Sequence, residues 1–218
     1  MSAESSPVDQ RRTKGKESRE LILQSAISCV AATGLSHTTL DRIAAHAGVS
    51  RGLVVFHFKS KNRLLKEVLD YLGTRYGEGW DLAQNTSGPS TMGRLFQLLD
   101  YDVRFASENP VYVSAWHAFW GEAKGNSLYR ELSVPRDDRY EADIRELLAT
   151  LIEEGNHDPN ELSSIDTGLT AILFGLWLRS HLHPRPDDYV NGMTAVRLFL
   201  NRMFPNHPLP PIVTASSI

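Results

Sequence analysis

At 218 residues, 41% hydrophobic and 22% charged, the chain has the size and make-up of an ordinary globular protein with one ample core or two modest domains. Its net charge of -3 excludes a uniformly basic nucleic-acid binder. The charge is unevenly spread: residues 1–70 hold 11 Lys and Arg against 7 Asp and Glu, a net of +4, while the remainder holds 12 against 19, a net of -7.

Residues 1–16 read as a flexible basic arm around Arg11, Arg12, Lys14 and Lys16, with no hydrophobic signal core. A helix is predicted from Glu17 to Thr33, with Leu21, Ile22, Ala26, Cys29 and Val30 as its buried stripe and Gly34 as its end. Cys29 is the single cysteine, so no disulfide forms within the chain and a reducing cytoplasm is the expected home. Next comes the most informative stretch, Thr38 to Lys61. Thr38 or Thr39 can cap a short helix whose apolar positions Leu40, Ile43, Ala44 and Ala47 share one face. Gly48 suits the positive φ that ends it, and Ser50 can cap a second short helix two residues later. So brief a turn sets two helices at the crossing angle of a helix-turn-helix. Val54 and Phe58 point inward, which leaves Arg51, Gly52, Val55 and Phe56 on the face that would enter a major groove. Arg51 can bond a guanine edge or a phosphate, and Gly52 lets the backbone come close. Val55 and Phe56 can read only thymine methyls.

The runs TLDRIA (39–44) and GVSRGLV (48–54), followed by His57, Phe58, Lys61, Leu64 and Leu65 at their spacing, closely resemble the DNA-binding head of TetR-family repressors. The resemblance implies that Thr39, Ser50, Arg51, His57 and Lys61 touch DNA. Val55 stands where that family commonly carries tyrosine, so a phosphate contact through a phenol hydroxyl is not expected here.

The expected head spans residues 17–62 and the body 63–205, with 206–218 as a flexible tail. Ser60 can cap a helix that carries Leu64, Leu65, Val68, Leu69 and Leu72, and Gly73, Gly77 and Gly79 then predict a weak or irregular far half. Helical patterns follow at about 91–108, 110–124, 137–155, 161–182 and 186–204, with no strand signature, so the fold class is all-α: a three-helix head on a helical-bundle body. The longest apolar run, Ala171 to Leu178, is too short to cross a membrane. The last two helices are the candidates for a homodimer interface. One carries Ile165, Leu169, Ile172, Leu173, Leu176 and Trp177 with Gly168 and Gly175, the other Val190, Met193, Val196, Leu200 and Met203.

Tyr112, Trp116, Phe119 and Trp120 share a face of the 110–124 helix, and Asp102 lies among apolar neighbours where a carboxylate needs a partner, such as Arg104 or Arg179. With Trp177 these residues form the candidate effector cage, whose chemistry suits a quaternary ammonium. The segment AWHAFWGEA (115–123) and GLWLR (175–179) are similar to the C-terminal domain of BetI-type repressors of choline-to-betaine genes. That similarity implies release from a palindromic operator by choline or a related cation. A regulator of drug export with a bulky lipophilic effector, or an architectural DNA binder, stays open as an alternative. An enzyme is not expected: no phosphate-binding loop or nucleophile elbow is present, and His181 and His183 lack further zinc ligands. No cofactor or metal is expected.

Overall fold

The computed structural model describes residues 7–211 apart from 87, 89, 123, 124 and 126, and among these it is all helix and connection. Ten helices run in order: α1 (Pro7–His37), α2 (Leu40–Ala47), α3 (Arg51–Phe58), α4 (Lys61–Thr86), α5 (Thr91–Glu108), α6 (Pro110–Gly121), α7 (Ser127–Leu132), α8 (Val134–Glu154), α9 (Leu162–Leu182) and α10 (Asp188–Met203). The expected arm is therefore helical from Pro7, and residues 1–6 lie outside the described residues. Gly34 breaks α1 as expected, with a φ of 72° that a side chain would resist.

The head forms because its ends are closed locally. The Thr39 hydroxyl accepts from the Arg42 N–H, Gly48 turns left-handed at φ 64°, and the Ser50 hydroxyl accepts from the Leu53 N–H. Ile22, Ala26, Val30, Ile43, Val54 and Phe58 then fill its core. Leu21 is a correction: it is 49% exposed, because the buried stripe of α1 runs through Ile22, Leu23 and Ile27.

The structure also corrects the expected weakness of α4, which continues unbroken to Thr86. Its glycines are notches. A methyl at Gly73 would overlap the Arg136 guanidinium, one at Gly77 would sit 2.9 Å from the Tyr140 hydroxyl, and one at Gly79 would clash with the hydroxyl edge of the Tyr101 ring. Tyr101 also donates to the Tyr76 carbonyl at 2.7 Å, so its ring is held at that notch. Gly79→Ala gains up to ~1 kcal/mol in helix propensity but forces the ring out, at a cost of about 1–3 kcal/mol. The variant is expected to melt lower than the parent in a thermal scan.

The body helices α4 to α10 continue the same core through Leu72, Leu95, Leu98, Phe119, Leu148, Leu169 and Leu200. The short α7 has no counterpart in the sequence reading. After α10 the chain stays on the body: Leu209 packs against the core and Arg197 donates to the Pro210 carbonyl, so 206–211 is not a loose tail. Residues 212–218 lie outside the described residues. No helix among the described residues is long and apolar enough to cross a membrane.

Candidate functional site

Two surfaces concentrate the chemistry. The first is the outer face of the head. Arg51, Gly52, Val55 and Phe56 are exposed along α3, with Phe56 at 67%. Arg51 Nε lies 3.4 Å from the Asp41 carboxylate, an exposed pair that holds the guanidinium across the helix-turn-helix and is worth little in itself. Lys59, at φ 66°, bonds the Phe56 carbonyl at 2.8 Å and places its ammonium 5.4 Å from the Phe56 ring centre. Burial, then Arg19 and Lys59, push the His57 imidazole below its ordinary value. Lys61 is partly buried and bonds the Leu35 carbonyl at 2.7 Å, which ties it to the end of α1. Thr39 and Ser50 cap helices with their hydroxyls and are themselves exposed.

The second surface is a cavity of about 460 Å³ in the body, a size that suits a small-molecule ligand. It is lined by Tyr76 and Trp80 of α4, Asp102 of α5, Trp116 and Trp120 of α6 and Tyr129 of α7. Asp137, Tyr140, Glu141 and Ile144 of α8 and Thr170, Leu173, Phe174 and Trp177 of α9 complete it. Asp102 is buried, and its Oδ1 accepts from the Tyr76 hydroxyl at 2.7 Å and from Trp177 Nε1 at 3.0 Å. Its Oδ2 is buried with no hydrogen-bond partner. Burial raises this carboxyl to about 6, against the lowering effect of the Tyr76 and Trp177 bonds. The arginines expected as its partners are engaged elsewhere: Arg104 with Asp100 and Tyr189, Arg179 with Asp188. Around the carboxylate, the Tyr76 ring meets Trp80, Phe105, Trp116, Tyr140 and Trp177 at centroid distances of 5.0–5.9 Å. A buried carboxylate inside a box of electron-rich rings attracts a cation and repels an anion.

Of the residues expected in the cage, Asp102, Trp116, Trp120 and Trp177 come together. Tyr112 and Phe119 do not line the cavity. Tyr112, one turn before Trp116 on α6, packs edge-on against Tyr71, and Phe119 is fully buried core. The sequence reading missed Tyr76 and Trp80, one turn apart on α4, and the α8 set Asp137, Tyr140, Glu141 and Ile144, which recurs at helical spacing.

The two surfaces share helices. α4 holds Leu64, Leu65 and Val68 in the head and Tyr76 and Trp80 at the cavity. α6 packs along α1, and the Ser36 hydroxyl beyond the Gly34 break donates to Glu122 at 2.8 Å.

Residues 22–68 match the family described as bacterial regulatory proteins of the tetR family, and residues 92–205 match the BetI-type transcriptional repressor C-terminal domain. The HTH-type transcriptional regulator BetI of Serratia proteamaculans is 27% identical over 193 residues, covering 88% of this chain and 95% of its own. That of Escherichia coli K12 is 24% identical over 190 residues, covering 86% and 94%. Among solved structures, a TetR transcription regulator from Haloarcula marismortui superposes with a TM-score of 0.70 at 20% identity, covering 86% of this chain and 98% of its own. A regulator from Saccharomonospora viridis in complex with choline does so with a TM-score of 0.72 at 23% identity, covering 85% and 96%.

Proposed function

This chain belongs to the TetR family of bacterial regulatory proteins, with a BetI-type repressor C-terminal domain, and from that premise we propose how it works. It is a DNA-binding transcriptional repressor. In our reading, a homodimer grips a palindromic operator through Thr39, Ser50, Arg51, Gly52, Val55, Phe56, His57 and Lys61. It lets go when choline or another small quaternary ammonium enters the body cavity. The observation that carries the effector class is Asp102, a buried carboxylate bonded only to neutral donors and ringed by tryptophan and tyrosine. That a choline complex exists for a protein of the same fold supports the same class. In this reading the chain is a binding protein and not an enzyme, and works in the cytoplasm.

Release follows from linkage. A cation that repositions Tyr76, Trp80, Trp116 or Trp120 moves α4 and α6, and these helices reach the head. Effector and operator then weaken each other by the same factor. The test is fluorescence anisotropy with the DNA upstream of the protein's own gene, with and without choline, betaine aldehyde and a panel of lipophilic cations. Choline is expected to raise the operator Kd at least tenfold. Release by lipophilic cations alone would move the protein to control of drug export.

The partner copy is expected on faces different from those the sequence suggests. Ile165, Leu169, Leu173, Trp177, Met193, Val196 and Leu200 are buried in the chain's own core, and Gly168 serves packing against Phe199. The apolar residues left exposed are Phe174, Leu178 and Leu182 on α9 with Val190 and Leu198 on α10, 45–61% accessible. Leu178→Glu with Leu198→Glu is expected to give a folded monomer by light scattering, with operator affinity down at least tenfold. A dimer unaffected by both changes would place the interface elsewhere.

A further inference from the structure

A small ammonium needs one counter-charge, and the cavity offers carboxylates at two places. The first is Asp102 on α5. The second is Asp137 on α8, whose Oδ2 accepts from the Tyr129 hydroxyl at 2.9 Å, with Glu141 one turn on at the exposed edge. The two carboxylates have different hydrogen-bond partners: Tyr76 and Trp177 hold Asp102, while Tyr129 holds Asp137, next to Arg136 in the chain. Burial raises Asp137, like Asp102, to about 6. Among the described residues no lysine, arginine or histidine lines the cavity, and the one basic neighbour that acts on Asp137 is Arg136, outside the lining. Tyr76, Trp116 and Trp177 meet one another about Asp102, while Tyr129 of α7 bonds Asp137, and Tyr140, one turn from Asp137 on α8, packs against Tyr76 and Trp80. The remaining lining includes Ile144, Leu173 and Phe174, a surface suited to methylenes.

We propose that the cavity holds two cation subsites, at Asp102 and at Asp137 with Glu141, and that its preferred effector is one linear molecule bearing two cationic nitrogens joined by an apolar chain. The inference rests on the cationic reading of the cavity given above. Joining the two charges makes the second contact intramolecular, so a dication of matching length gains over a monocation without any new pocket. A molecule the size of choline would occupy the Asp102 subsite alone and leave Asp137 and Glu141 without a cation.

Calorimetry on the full-length protein would compare choline with bis(trimethylammonium)alkanes of increasing chain length. One length is expected to bind at least tenfold tighter than choline. Asp137→Asn, which keeps the acceptor for Tyr129, and separately the exposed Glu141→Gln, should pull that ligand back toward the affinity of choline and weaken choline itself by a much smaller factor. Choline and every dication binding within threefold of one another would overturn the proposal, as would variants that weaken both ligands equally. Failure of choline and all dications together would instead remove the cationic reading of the cavity and this inference with it.

Discussion

Asp102→Asn is expected to give a protein that melts higher and no longer responds to a cation. In the folded chain burial holds this carboxyl near 6, well above the ordinary carboxylate range. The folded state therefore keeps a proton, between about pH 4 and 6, that the unfolded chain has lost. Stability falls as pH rises through that window, and above it the full penalty applies, roughly 3 kcal/mol for a rise of this size. Asparagine keeps an oxygen for the Tyr76 and Trp177 donors and removes the charge. It leaves a buried Nδ2 where Oδ2 already lacked a partner, so the expected gain near neutral pH is about 2 kcal/mol, or roughly 4–8 °C in Tm for a chain of this length. The pH dependence between 4 and 6 should flatten at the same time. Cation affinity should drop at least a hundredfold, because the counter-charge is gone. In the parent protein the same affinity should weaken below about pH 6, where Asp102 takes up its proton. A variant that binds choline as tightly as the parent would show that the aromatic box alone holds the ligand.

Gly52→Leu is expected to leave the fold intact and to cost at least a hundredfold in operator affinity. Gly52 is exposed within α3, and a methyl built there meets only the Ser50 hydroxyl, at 3.7 Å, which is ordinary contact. Leucine also raises helix propensity by up to ~0.8 kcal/mol, so melting should be unchanged or slightly higher. All of the loss must then arise at the DNA, where the added side chain stands α3 off the groove floor and pulls its neighbours out of reach of the bases. Arg51, Val55 and Phe56 would lose their contacts together. Circular dichroism, a melting curve and operator anisotropy on one preparation separate the two effects. An affinity within threefold of the parent would mean that α3 does not enter the groove by this face.

What could be read from the sequence depended on range. The caps at Thr39, Gly48 and Ser50 act within four residues, so their chemistry is visible in the chain itself. Asp102, Trp116 and Trp177 stand out because an acid or a broad ring on an apolar helical face is unusual wherever the helix packs. Tyr76 and Trp80 were hidden by Gly73, Gly77 and Gly79, which look like helix breakers until the residues that fill them are known. Asp137 and Tyr140 sit in the run DDRYEADIRE, where a dense band of charge resembles a solvated surface. The α9 stripe of Ile165, Leu169, Leu173 and Trp177 turns to the chain's own core, and α9 is apolar nearly all round. Periodicity locates its stripes but cannot say which one meets the chain's own core, and Leu173 is buried while Phe174 beside it is half exposed.

The notched α4 also bears on the building of chimaeric regulators. A crossover placed at the end of the head, near residue 62, would keep Gly73, Gly77 and Gly79 with the side chains of Arg136, Tyr140 and Tyr101 that occupy them. A crossover placed further along, inside α4, would pair those side chains with a foreign helix surface. Unless the donor helix has small residues at the same three positions, such a hybrid would be blocked at the joint between sensor and reader, even with both halves well folded.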